Sequence, residues 1–452
     1  MRLGKSLAAV RWTKQRIKES GYEPETVYNR THRVLVVAPV TTLQDWEREL
    51  KFEGIDPKDI HWLLGSSTKR MSISNPLMKD AGWFFVNYEG LRACPELFKH
   101  NWFTVIMDES TKLRNPQAQI TKLCVSEFAY VKNAAILSGL PAPESPMDYF
   151  SQFHVLHGGF MGYNNFWAWR LRYFAQGPTG WDWYPKKGTI DALKGEVHRL
   201  AFVMTRKEAK IGPKKIYERR YVYMNAPQKK MYAQVEKEFE FRKEESGELV
   251  QTKWNLERVY WLSRIAGGFF PDKEEVGSLL ISEEKLKELH ALITEELKND
   301  KIVVWFRYNA ELKAAAQYLT SKGIKCGQVY GDIPLEERKH ATDSFRASIR
   351  IMLAQVKCAK FGLDWSVAST AIYYSNSYDM EDRGQSEDRI VHPKKVEPVL
   401  YIDLVTKDTI DEEVIESLKE KYITTRIFMT KFITKLREKW AVIKDKKSRR
   451  NA

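Results

Sequence analysis

Apolar residues in this chain fall into short, dense runs separated by longer amphipathic stretches, a rhythm that predicts alternating strands and helices. Arg33-Val-Leu-Val-Val37 runs into Ala38-Pro39 and then into Leu43-Gln-Asp-Trp46-Glu-Arg-Glu-Leu50, whose apolar positions recur at helical spacing. Trp83-Phe-Phe-Val86 leads into Asn87-Tyr88-Glu89, Phe103-Thr-Val-Ile-Met107 into Asp108-Glu109, and Ala134-Ala-Ile-Leu137 into Ser138-Gly139. Runs that are apolar throughout suit strands buried on both faces, as in parallel sheets covered by helices. A second block of this kind starts near Glu284. It predicts a helix over Leu286 to Leu297, a strand over Lys301 to Phe306, a helix over Ala310 to Leu319 stopped by Gly323, and strands over Ile349 to Leu353 and Val399 to Ile402. A final helix, roughly Ile410 to Trp440, carries an apolar stripe (Val414, Leu418, Met429, Ile433, Leu436, Trp440) expected to pack on the body.

The middle of the chain breaks the rhythm. Ten aromatics lie between Phe160 and Tyr184, among them Trp167, Trp169, Trp181 and Trp183. The stretch reads as an aromatic mini-core pinning an insertion, with a stacking platform for bases as the alternative. A long polar helix is predicted near Gln228 to Glu245, ahead of the breaker Gly247. The expected organisation is therefore α/β over residues 1–150, a helical and aromatic-rich insertion and linker over 151–280, and a second α/β lobe over 281–452 with a basic C-terminal helix and tail.

A length of 452 residues allows two or three domains with large cores. The four cysteines, Cys94, Cys124, Cys326 and Cys358, lie far apart with no C-x-x-C pair, which argues against a zinc site or a disulfide framework and for a reducing compartment. No apolar run reaches membrane-spanning length, and a soluble intracellular protein with no membrane partner is expected. Net charge is +14. Nine Lys/Arg against two acids between Lys431 and Ala452 supply half of it. Such a surplus favours a polyanionic partner, although a basic tail is also simply a solvated helix end.

Candidate chemistry sits where strands end. Asp108 and Glu109 follow an apolar strand, so one carboxylate can hold a hydrated Mg²⁺ while its neighbour orients an attacking water. Gly4-Lys5-Ser6 opens a helix-like segment and matches the closing half of a phosphate-binding loop: backbone N–H groups cradle phosphate, Lys5 reaches its oxygens, and the Ser6 hydroxyl ligates Mg²⁺. The glycine-rich opening of such a loop and its feeding strand would precede Met1, so the chain reads as starting inside the loop. In the second block, Gly362-Leu363-Asp364 allows close backbone approach beside a carboxylate suited to a ribose hydroxyl or the catalytic water. Gln385 and Arg389 lie about one helical turn apart, where a guanidinium can meet γ-phosphate charge; the competing reading is a surface salt bridge of Arg389 with Asp388 or Glu387.

In this order the residues resemble superfamily-two helicase-like ATPases, in particular the Swi/Snf branch of double-stranded-DNA translocases. Gly4-Lys5-Ser6 is similar to the end of motif I, Ala38-Pro39 with Thr41, Thr42 and Trp46 to motif Ia, Asn87-Tyr88-Glu89 to motif Ib, and Asp108 to Asn115 to motif II with its branch-specific extension. Ser138-Gly139-Leu140-Pro141 resembles motif III. Tyr330-Gly331 with Arg338, Gly362 to Asp364, and Gln385 to Arg389 resemble the C-terminal set. Asp-Glu-Ser-Thr in place of the usual Asp-Glu-Ala-His looks like a bacteriophage or bacterial member, which implies the cytoplasm of a bacterial or phage-infected cell.

The resemblance implies two RecA-like lobes, ATP and Mg²⁺ as cofactors, and double-stranded DNA as partner. It assigns Lys5 and Ser6 to phosphate and Mg²⁺, Asp108 to the ion and Glu109 to the water. Ser138 would couple nucleotide state to the DNA groove, and Gln385 and Arg389 would close the site. Thr41, Thr42, Asn87, Tyr88, Gly139, Tyr330 and Arg338 join the coupling and DNA set. His392 stands where the family carries its second motif VI arginine, and Leu140 where threonine is usual. Two other functions stay open: a nucleic-acid-binding module that has lost hydrolysis, and a helicase that separates DNA or RNA strands.

Overall fold

The computed structural model describes residues 4–20, 32–66, 68–70, 82–139, 141–143, 145–177, 183–202, 211–245, 248–271, 278–361, 363–377 and 379–419. Gly362, Leu140, Trp181, Gly247, the final helix beyond residue 419 and the basic tail lie outside them. The chain divides into two compact units, Met1–Ala209 and Lys210–Ala452. The middle stretch, residues 151–280, is thereby shared between them.

The first unit is built on five parallel strands, β1 (Arg33–Val37), β2 (Ile60–Trp62), β3 (Gly82–Val86), β4 (Thr104–Asp108) and β5 (Asn133–Leu137), in the order β2-β3-β1-β4-β5. Alternate side chains serve opposite faces. Leu35, Val37, Phe84, Val86, Val105 and Met107 pack against Leu91, Cys124, Phe128 and Val155, from helices Tyr88–Ala93, Gln119–Phe128 and Asp148–His157. Val34, Val36, Trp83, Phe85 and Ile106 pack against Val10 of helix Lys5–Glu19 and the Leu43, Trp46, Leu50 stripe of helix Leu43–Phe52. A sheet covered on both faces needs strands apolar through their middle, as residues 34–37 of β1, 83–86 of β3 and 105–107 of β4 are. Full burial of each large side chain contributes about 1.5–3 kcal/mol.

The aromatic stretch belongs to this unit. Phe150, Phe153, Phe160, Trp169 and Phe174 form a separate small core with Leu193 and Val197. It joins helices Phe166–Tyr173 and Thr189–Leu200 to the antiparallel pair β6 (Phe174–Gln176) and β7 (Trp183–Pro185). An aromatic mini-core is what the sequence favoured.

The second unit carries β8 (Lys215–Val222), a short antiparallel pair of β9 (Phe269–Pro271) and β10 (Ser278–Leu280), and strands β11 (Ile302–Phe306), β12 (Cys326–Val329), β13 (Ile351–Gln355), β14 (Thr370–Tyr373) and β15 (Val399–Thr406). Its main sheet runs β12-β13-β11-β14-β15-β8 and is parallel throughout. Strand β8 comes from the stretch that reads as insertion, yet it pairs with β15 over its full length. Its sequence, KIYERRYV, is too charged to resemble a core strand because it lies at the sheet edge, where charged side chains are tolerated. Helices Ala226–Glu245 and Glu248–Ala266 close a small core with Ile410 and Val414 of helix Ile410–Lys419.

The helix expected over Leu286 to Leu297 is regular only over Glu284–Ala291 and widens into a π turn at Leu292–Glu296. Arg350 supplies a reason: it donates to the carbonyls of Ile293 (3.1 Å) and Leu297 (2.7 Å), acceptors that sit in and just after the widened turn.

Helix Asn309–Ser321 buries Glu311 in its first turn. The Ser375 hydroxyl donates to Glu311 Oε2 and itself accepts the Arg307 N–H at 2.8 Å. Gly267 makes room, since a Cβ there would collide with the Glu311 carboxyl. Burial pushes the Glu311 pKa up to about 7 from 4.5, against the opposing pull of Ser375 and Lys285. The folded chain therefore holds a proton that the unfolded chain releases between these values, so this contribution is complete below pH 4.5 and is lost as pH rises through about 7. Glu311→Gln is expected to flatten that fall and to stabilise the second unit by up to about 3 kcal/mol above pH 8. Urea titrations of both forms from pH 4 to 9 measure it; parallel pH profiles would contradict the assignment.

Candidate functional site

The carboxyl ends of the first sheet lie in register. Val37 pairs with both Val86 and Met107, and Asp108 pairs with Leu137. Ala38, Asn87, Glu109 and Ser138 each follow a strand end, so four separate segments reach one edge, where open α/β sheets place ligands.

Gly4 adopts a left-handed φ of 74°, which frees the chain to turn directly into helix Lys5–Glu19. Lys5 Nζ donates to Glu109 Oε1 at 3.3 Å and stands 4.0 Å from Asp108 Oδ1. Asp108 is 4% exposed; its Oδ2 accepts the Trp46 indole N–H at 2.9 Å and its Oδ1 accepts the Glu109 N–H at 3.0 Å. Burial pushes the Asp108 carboxyl above its ordinary range, with Lys5 opposing and Glu109 adding to the rise. Glu109 takes φ 49° and ψ 55°, a conformation that costs a non-glycine residue about 1–2 kcal/mol and aims it off the strand axis.

The neighbouring donors are hard oxygens, the carboxylates of Asp108 and Glu109; Ser6 lies in the first helical turn, next to Lys5 in the chain. Such oxygens suit Mg²⁺, which keeps waters and takes only a few protein ligands. Its charge would reverse the penalty that burial imposes on Asp108. A phosphate group fits beside it, since the helix N-terminus and the Lys5 ammonium concentrate positive charge there.

Gln152, from helix Asp148–His157, links two of these segments. Its Oε1 accepts from Ser110 Oγ at 2.7 Å, and its Nε2 donates to the carbonyls of Pro141 (2.6 Å) and Asp148 (2.8 Å). The residue after Glu109 is thus tied to the segment that follows Ser138 and Gly139. Several expected coupling residues are occupied internally. The buried Tyr88 hydroxyl donates to the Asp108 carbonyl at 2.8 Å and braces the strand end. Asn87 caps helix Tyr88–Ala93 by accepting the Gly90 N–H at 3.2 Å. Thr42 Oγ1 donates to the Pro39 carbonyl at 3.0 Å; Thr41 lies in the same 3₁₀ turn, Val40–Thr42. Ser138 is half-buried and Gly139 exposed.

In the second unit, Gln385 and Arg389 share helix Met380–Arg389, which Asp379 caps at the Glu381 N–H (2.7 Å). Gln385 is buried and donates to Glu381 at 2.9 Å, while Arg389 donates to the Leu363 carbonyl at 3.4 Å. His392 follows the helix and accepts the Lys394 N–H at Nδ1. The half-exposed Asp364 faces Arg346 at 3.9 Å. Tyr330 receives Lys313 over its ring at 5.3 Å, and Arg338 is turned inward to the carbonyls of Ile333 (2.7 Å) and Gly331 (2.8 Å).

The charged hub of this helix is Arg383, to which sequence reasoning assigned no role. It pairs with Asp403 at 2.5 Å and Glu387 at 2.8 Å, donates to Asn376 and lies 3.5 Å over the Tyr373 ring. Glu387 also accepts from Lys215 (2.8 Å) and Tyr217 (2.9 Å). Of the two acids that sequence offered as Arg389 partners, Glu387 is engaged by Arg383 and by edge strand β8, and Asp388 lies 3.7 Å from Lys215 of the same strand. Burial works against the Glu387 carboxylate, but Arg383 and Lys215 outweigh it and hold its pKa below the ordinary range. Gln152 and Arg383 carry no motif signal; Trp46 has two sequence hints, its place in the stretch similar to motif Ia and its position on an amphipathic stripe.

Residues 1–264 match the model of the SNF2-related domain, and residues 284–394 that of the helicase conserved C-terminal domain. The chain is 21% identical over 338 residues to the SWI/SNF-related matrix-associated actin-dependent regulator of chromatin subfamily A-like protein 1 of Drosophila melanogaster, covering 72% of this chain and 41% of that protein. Identity to the chromodomain-helicase-DNA-binding protein 1-like of Mus musculus is 24% over 408 residues, covering 87% of this chain and 44% of that protein. The chain thus spans less than half the length of these two relatives. A solved Sulfolobus solfataricus SWI2/SNF2 ATPase core in complex with dsDNA aligns with 92% of this chain and 84% of its own at 20% identity, with a TM-score of 0.41.

Two substitutions probe the architecture. Gln152→Leu strands the Ser110 hydroxyl and the Pro141 carbonyl and is expected to destabilise the first unit by about 1–3 kcal/mol in urea titration. Arg383→Met takes the cation from buried Asp403 and leaves Glu387 with Lys215 as its cation, and is expected to cost the second unit about 3–5 kcal/mol. Midpoints equal to wild type would show that these contacts hold nothing together.

Proposed function

This chain belongs to the SNF2-related family of helicase-like ATPases, and from that premise we propose that it hydrolyses ATP and spends the cycle moving along double-stranded DNA. The observation that carries the reading is Lys5 at a helix N-terminus, 3.3 Å from Glu109 Oε1 and 4.0 Å from Asp108 Oδ1. A phosphate-binding cation beside adjacent carboxylates is the minimal equipment for phosphoryl transfer to water.

Lys5 and the first-turn N–H groups hold the terminal phosphates. Asp108 and Ser6 would hold Mg²⁺, which when bound would supply positive charge to offset that of the phosphates. Glu109 orients the water and accepts its proton as the new P–O bond forms and the bond to ADP breaks. Gln152 keeps Glu109 in step with the Ser138 segment, which makes it a positioning residue. By the family resemblance, Arg389 is the residue assigned to the transition-state charge. The expected DNA partner rests on family membership, on the net charge of +14, and on the DNA-binding named for the mouse relative.

Phosphate release with and without duplex DNA tests the reading. Wild type is expected to be stimulated by DNA, and Lys5→Ala or Glu109→Gln to lose about 100-fold or more, with Glu109→Gln still binding nucleotide. Arg389→Ala is expected to lose a similar factor. If wild type binds DNA but releases no phosphate, a binding module without hydrolysis replaces the motor. Triplex displacement without strand separation is expected; the reverse pattern would make the protein a strand-separating helicase. Duplex affinity should fall steeply with salt, and a flat titration would remove the DNA partner.

A further inference from the structure

The outer side of the aromatic mini-core holds a cation that the catalytic reading leaves unused. Arg170 lies between two indoles, its Cζ 3.9 Å from the Trp183 ring centroid and 4.3 Å from that of Trp167, with Phe166 at 5.5 Å. Three rings crowd the guanidinium. Such stacking holds an arginine in place without using its N–H edges. Among the described residues no carboxylate pairs with it and its Nε has no hydrogen-bond acceptor. Burial lowers its pKa with no acid opposing, yet an arginine stays charged.

The surroundings carry the same sign. Residues 166–187 contain Arg170, Arg172, Lys186 and Lys187 against a single acid. Lys186 donates to the Leu171 carbonyl at 2.6 Å, which ties β7 to the end of helix Phe166–Tyr173. Arg172 and Lys187 are exposed. Trp167 and Tyr184 remain 45% and 40% exposed although neighbouring aromatics are fully buried, so the ledge shows flat rings around a cation that has no acid partner among the described residues. A guanidinium with free edges takes a phosphate through two parallel hydrogen bonds, while exposed rings lie against sugar or base.

We propose that Arg170, clamped by Trp167 and Trp183 and flanked by Arg172 and Lys187, is a contact point for the phosphodiester backbone of duplex DNA, separate from the motif residues. The assignment rests on the DNA reading given above and adds a docking surface to it.

Anisotropy of a labelled duplex across a salt series tests it, using the full chain. Arg170→Gln is expected to weaken binding and to reduce the slope of log affinity against log salt by about 1, the signature of one lost phosphate contact. Arg170→Lys, which keeps the charge, should retain most of the slope. A purely structural staple would change the melting temperature of Arg170→Gln and leave the slope at the wild-type value; that result overturns the proposal. Should Arg170→Gln fail to fold, arginine-directed modification of the wild-type chain decides: bound duplex should protect Arg170, and unchanged reactivity overturns the assignment. If wild type binds no duplex at any salt, the DNA reading itself falls, an outcome distinct from wild-type-like binding by the variant.

Discussion

A carboxylate buried at the end of a central strand sets the terms for the first unit. Asp108 is 4% exposed, and burial disfavours its charge. The surrounding residues answer that cost together: the Trp46 indole donates to one oxygen, the Glu109 N–H to the other, and the Lys5 ammonium stands 4.0 Å away. Each neighbour comes from a different segment, so the carboxylate acts as a meeting point for helix Lys5–Glu19, helix Leu43–Phe52 and the turn after β4. A buried carboxylate held this way favours a nearby cation, whose charge offsets the penalty that burial imposes.

The second unit resolves a similar problem differently. Arg383 is buried, but two carboxylates and an amide saturate it and a tyrosine ring lies under it. Its work is structural: it anchors helix Met380–Arg389 to the sheet, and through Glu387 and Lys215 it also anchors edge strand β8. Breaking such a network costs several kcal/mol, whereas the exposed pairs scattered over the surface, such as Arg48 with Asp45, contribute about 0–1 kcal/mol each. Gln385 and Arg389 therefore ride on a rigid helix, the condition for placing a charge reproducibly.

Between these extremes lies Arg170, neither saturated by acids nor exposed to full hydration. The three cations differ in partner rather than in type: Lys5 faces carboxylates and a helix N-terminus, Arg383 faces carboxylates alone, and Arg170 faces rings. Partner chemistry separates a cation set beside strand-end carboxylates from one locked in a buried ion network and from one stacked on aromatic rings.

The strands were legible wherever they are buried on both faces. β1, β3, β4, β5 and β11 announce themselves as apolar runs, and the Asp108-Glu109 pair follows from the end of one of them. β8 was hidden because an edge strand tolerates charge, and β2 because three residues give no periodicity. The sequence by itself therefore determined the α/β class, the helix-start position of Lys5, the strand-end positions of Asp108 and Glu109, and the basic surplus, since these depend on local pattern and residue type. Only the tertiary structure decided that Tyr88 and Arg338 turn inward, that Gln152 bridges Ser110 to Pro141, and that Arg383 rather than Arg389 takes Glu387. Those choices join residues far apart in the chain, as Trp46 and Asp108 are at a separation of 62 positions. A hydrogen bond across such a distance leaves no periodicity behind, because its partners are selected by burial and geometry after the sheets have formed.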